Sequence, residues 1–162
     1  MSPTCRISWA WVGRVFVPLG IGILVYVALR DSSTLALDWL GQIETGDFVV
    51  HSVRSPAHQY SGALPGWMIM NLPDGLWVFS FTSAIRLIWN GNRSPEARWW
   101  VCVPLVLGLG IEVLQYTGWF SGTGDWLDAF SYTIGFLAAI VLPVSERRGL
   151  SSCGSFATSR VP

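Results

Sequence analysis

Four long apolar stretches constrain this chain more than any other feature. A membrane-spanning helix needs about 20 predominantly apolar residues, and four segments meet that condition: residues 9–29, 67–89, 99–120 and 126–144. The charged fraction is only 12%, against about 25% in an ordinary soluble domain. Too few charged side chains remain to cover a water-facing globule. The fold expected is therefore all-α: a polytopic membrane protein with four transmembrane helices over residues 1–146 and a polar cytoplasmic tail over 147–162. The first stretch is too long and too rich in Trp at its start for a secretory signal, and no small-residue cleavage site follows it.

The ten Trp residues support these boundaries. Trp9, Trp11, Trp67, Trp89, Trp99, Trp100, Trp119 and Trp126 all fall near proposed span ends. An amphipathic indole prefers that interfacial depth. Arginine then sets direction. Arg6 and Arg14 lie at the start of the first span, Arg93 and Arg98 in the short second connection, and Arg147 and Arg148 after the fourth span. By the positive-inside rule these stretches are cytoplasmic together only if both termini are inside. The long connection 30–66 is then external, and its apolar residues Leu35, Leu37, Trp39, Leu40 and Ile43 suit an interfacial helix.

Net charge is zero and no basic run occurs, so a nucleic-acid partner is not expected. Cys5, Cys102 and Cys153 have no metal or disulfide spacing. His51 and His58 read as surface residues. No hydrolase triad order, phosphate-binding loop or dinucleotide fingerprint is present.

Charged groups inside a span are costly and by default mark function. Glu112 and Gln115 form E-x-x-Q in the third span and share a helix face, with Tyr116 extending it. Asp125 and Asp128 form D-x-x-D at the start of the fourth, with Tyr132 and Gly135 continuing that face. Thr123 or Asp125 suits the N-cap there, and Gly122 and Gly124 permit a tight preceding turn. Asn71 and Asp74 lie at the start of the second span, where Pro73 and Gly75 should kink the helix. With both termini inside, all of these groups converge on the outer side. Arg86 lies towards the cytoplasmic end, in reach of the interface.

The candidate site is therefore Glu112 as a buried acid/base or hydrogen-bonding group, with Asn71, Asp74, Gln115, Asp125, Asp128 and Tyr132 as binding residues. On a span running to residue 120, Glu112 lies about eight residues, or roughly 12 Å, from the outer end. Asp125 and Asp128 are the pair that would hold a divalent cation, if one binds. Acidic residues in a first helical turn also serve as caps, and Glu112 can equally bond a neighbouring helix.

The E-x-x-Q, the short Gly-bearing turn, the D-x-x-D and the small-residue helix after it resemble the VanZ-like family of small bacterial membrane proteins. The likeness covers residues 71–141 and carries over Asp74, Glu112, Gln115, Asp125, Asp128 and Gly135. The family often has a basic residue and a His where this chain has Gly75 and Val78, an Arg in the turn that here holds Gly122 and Thr123, and an Asn where it has Tyr132. The resemblance implies a bacterial inner-membrane protein acting in cell-envelope biogenesis or envelope-directed antibiotic resistance, whose partner is a membrane lipid or lipid-linked envelope precursor. The residues alone leave open an intramembrane acid/base enzyme, a proton- or cation-coupled transporter (which would call for a homodimer), and a structural assembly subunit.

Overall fold

The computed structural model describes residues 9–30, 64–89, 94–120 and 124–143, together with 52, 54, 57, 62, 92 and 122. The described residues form helices without strands: α1 (Trp9–Leu29), α2 (Gly66–Met70), α3 (Leu72–Ile88), α4 (Pro95–Tyr116) and α5 (Trp126–Val141). By length and composition, α1 and α4 can each cross a membrane, and α5 is a shorter apolar helix. The expected interfacial helix around residues 35–43, the two His and the polar tail lie outside the described residues.

Local sequence explains where each helix starts, bends and stops. In α1, residues Val12–Phe16 are π-helical, and the Val17 N–H reaches back to the Val12 carbonyl. Pro18 follows directly. A proline has no N–H to offer and its ring crowds the carbonyl four residues earlier, so a widened turn relieves the conflict. The expected second span is split. Helix α2 stops at Asn71, and α3 begins with Pro73 in its first turn, which is the kink that Pro73 predicts.

Helix α4 starts at Pro95, four residues before the expected boundary, because Ser94 caps it: its Oγ accepts the Ala97 N–H at 3.3 Å. It also ends four residues early, at Tyr116. Gly118 takes a positive φ of 74°. Its N–H bonds the Gln115 carbonyl at 3.0 Å, and the Trp119 N–H bonds the Leu114 carbonyl at 2.9 Å, the paired pattern of a Schellman stop. Helix α5 ends at Val141 rather than 144, because Leu142 precedes Pro143 and is driven to an extended conformation (ψ 124°).

Helix α3 is the centre of the bundle, packed against α1, α4 and α5, with its most extensive contact to α5. That contact is close because glycines meet: a Cβ on Gly135 would run into the Gly75 carbonyl oxygen. Gly22 of α1 similarly abuts the Pro73 carbonyl. The interior these helices enclose mixes small apolar residues (Ala28, Val78, Ala97, Ala139) with polar ones and, among the described residues, holds no Leu or Ile. Asn71, Ser80, Thr82, Ser83 and Glu112 are buried, whereas Ile23, Leu24, Ile88, Val106, Val113, Leu137 and Val141 are exposed. Ser80 and Thr133 bond the carbonyls of Leu76 and Ala129 in their own helices, which satisfies the hydroxyls without a partner element.

Candidate functional site

The carboxylates gather at one end of the bundle because three helix termini meet there. Glu112 stands on α4 one turn before its end, not the two turns expected, since the Gly118 stop shortens the helix. The side chain is buried at 8% exposure and points across to the start of α5. Its Oε2 accepts the backbone N–H of Asp125 at 2.9 Å, and the Tyr132 hydroxyl donates to Oε1 at 3.4 Å. The Asp125 side chain accepts the Leu127 N–H at 3.0 Å and is the cap of α5. Two carboxylates thus serve the free N–H groups and the positive dipole end of one helix.

This junction needs glycines. A Cβ on Gly124 would meet the Glu112 carbonyl oxygen at 2.9 Å and the Tyr116 nitrogen at 2.8 Å. Gly122 has a φ of 141°, and the Gln115 side chain packs against its backbone. Tyr116 departs from expectation: it is 85% exposed and does not extend the Glu112 face.

Asn71 and Asp128 form the second part of the site. The Asn71 amide donates to the Asp128 carboxylate at 2.5 Å, joining the α2–α3 kink to the first turn of α5. Asp74, in the first turn of α3, forms the third part. Its carboxylate lies 3.7 Å from the Arg30 guanidinium, which also stands 5.0 Å from the Tyr26 ring centroid. Asp74 is within electrostatic range of Asp128 and Glu112, and Asp128 within range of Asp125 and Arg30. Asn71, Asp74, Glu112, Asp125, Asp128 and Tyr132 therefore form one electrostatic neighbourhood, with Gln115 beside it at the turn.

Between α1 and α4 lies a cleft of about 510 Å³, floored by α3 and by Tyr132. Leu19, Ile23, Trp77 and Ile111 make its walls apolar, and Asp74 brings a charge into it. Among the described residues, no three His, Cys, Asp or Glu side chains gather so as to hold a metal ion. Asp125 and Asp128 are not joined by a third ligand; one caps a helix and the other holds Asn71.

Arg30 and Trp77 were not among the expected site residues. The i, i+4 spacing of Tyr26 and Arg30, and the i, i+3 spacing of Asp74 and Trp77, were the available signals. Arg86 lies at the opposite end from Glu112, so no ion pair joins them. It donates to the carbonyls of Ala139 and Leu142, and Arg14 donates to that of Pro143 at 2.6 Å. Helix α5 is thus held by carboxylates at its N-terminus and by guanidinium groups at its C-terminus. No family model, curated protein or solved structure matches this chain.

Proposed function

We propose that this chain is a four-span protein of the bacterial cytoplasmic membrane with both termini inside, and that its acidic end faces outwards and binds the polar head group of a membrane lipid or lipid-linked envelope precursor. The observation that carries the reading is the cleft between α1 and α4, with apolar walls and Asp74 on its lining, the carboxylate that pairs with Arg30 just beyond it. An acyl or prenyl chain would lie along Leu19, Ile23 and Ile111. A head group with hydroxyl or ammonium donors would meet Asp74, and its phosphate would meet Arg30.

The membrane assignment is supported by the inverted distribution of side chains. A water-soluble bundle buries its Leu and Ile and exposes its Ser, Thr and Asn; this one does the opposite. Orientation is supported by charge: Arg14, Arg86 and Arg98 lie at one end, and Asp74, Glu112, Asp125 and Asp128 at the other. The envelope role rests on the E-x-x-Q and D-x-x-D resemblance to the VanZ-like family.

Native mass spectrometry of gently extracted protein tests the reading, with wild type beside an Asp74→Asn/Asp128→Asn variant. The expected result is a lipid-sized adduct on wild type that an equally stable variant loses. Wild type carrying no specific adduct would refute ligand binding. Reporter proteins fused to each terminus should both be active in the cytoplasm, and one external terminus would refute the four-span arrangement.

A second reading is favoured by the hydrogen bonds of Glu112 and Asp125. Both carboxylates cap α5, and on this reading the acidic end is the scaffold of an assembly subunit. On that reading Asp125→Ala loses stability and wild type carries no ligand to lose.

A further inference from the structure

A second cleft, of about 460 Å³, lies at the opposite end of the bundle. It is built where the C-terminus of α3, the first turns of α4 and the last turns of α5 meet. Arg86, Trp89 and Asn92 line one side, Arg98 and Cys102 another, and Phe136 with Ile140 a third. Its chemistry is the reverse of the acidic end. Two guanidinium groups from different helices, an amide and an indole surround a pocket whose deeper walls are apolar. Glu96, the acid on the same turn as Arg98, is exposed and does not line the cleft.

Arg86 is not a loose surface side chain. Its bonds to the Ala139 and Leu142 carbonyls hold the guanidinium against the end of α5, so its charge is fixed at the cleft wall. Positioned arginine favours planar, multidentate recognition of phosphate oxygens. A basic cleft between transmembrane helices on the cytoplasmic side is also where an anionic lipid head group can be reached without leaving the bilayer.

We infer that this cleft is a phosphate-binding site for an anionic glycerophospholipid of the inner leaflet, with the phosphate between Arg86 and Arg98 and an acyl chain against Val101, Phe136 and Ile140. The inference shares the membrane placement given above but not the acidic site.

Cys102 on the cleft wall provides the readout. In the full chain, Cys5→Ser/Cys153→Ser leaves Cys102 as the one thiol. This protein is reconstituted in phosphatidylcholine vesicles with or without phosphatidylglycerol, and modification by neutral N-ethylmaleimide is timed. Phosphatidylglycerol should slow the reaction about fivefold, the factor one arginine contact near an anionic surface supports. Arg98→Gln, at unchanged helicity, should restore the faster rate, and Arg98→Lys, which keeps the charge but not the planar fork, should keep part of the protection.

Inorganic phosphate added to phosphatidylcholine vesicles separates the sources. Protection by it would keep the phosphate site but assign it to a soluble ester. Equal rates under all conditions would overturn the site. So would slowing that survives Arg98→Gln, which would be a surface-potential effect on the thiol. Asp74→Asn/Asp128→Asn should leave the protection intact, so failure of the acidic site and failure of this one are told apart.

Discussion

Replacing Glu112 separates its two roles, because Gln and Ala remove different things. Gln keeps the shape and one acceptor oxygen, so the Asp125 N–H stays bonded and the Tyr132 hydroxyl can turn to accept. What is lost is the negative charge at the start of α5, a contribution of about 1 kcal/mol in a partly buried setting. Ala removes the acceptor altogether and leaves the Asp125 N–H without its partner, a desolvation penalty of about 1–3 kcal/mol. Removing the buried side-chain atoms adds a packing loss, so the total for Glu112→Ala is about 2–4 kcal/mol. Thermal unfolding in detergent should then show Glu112→Gln within about 4 °C of wild type and Glu112→Ala lower by roughly 5–15 °C. Adduct retention on the Gln variant, read in the same preparations, reports the ligand role apart from folding. An Ala variant as stable as wild type would refute the capping geometry. A Gln variant as unstable as Ala would show that the charge, not the hydrogen bond, holds the junction.

Two further perturbations probe the packing. Gly135→Ala drives a Cβ into the Gly75 carbonyl oxygen, which backbone cannot yield cheaply; a loss of about 1–3 kcal/mol is expected in chemical unfolding, and unchanged stability would refute the close approach of α3 and α5. Thr82 is fully buried, and its hydroxyl has no hydrogen-bond partner among the described residues. Thr82→Val should therefore raise stability by about 1 kcal/mol in the same assay, and a destabilised variant would mean that the hydroxyl is bonded after all.

Much of the local structure was legible in the sequence. Ser94 before Pro95 marks a helix start, Pro73 a kink and Asp125 a cap, and each acts through its own few neighbouring residues. The helix ends at Tyr116 and Val141 were less legible, although Gly118 and Pro143 carry the signals. Long apolar runs hide short stops, and the misplaced end of α4 set Glu112 a turn too deep.

Sequence by itself therefore determined the helical class, the apolar exterior and the polar residues available to a site, since these follow from periodicity and side-chain chemistry. Only the tertiary structure decided what those polar residues do. Glu112 meets the Asp125 N–H, Asn71 meets Asp128, and Arg86 holds the far end of α5. Each of these contacts depends on the rotation and stagger of one helix against another. That relation is set by where Gly75 and Gly135 allow α3 and α5 to touch, and no single helix carries it in its own sequence.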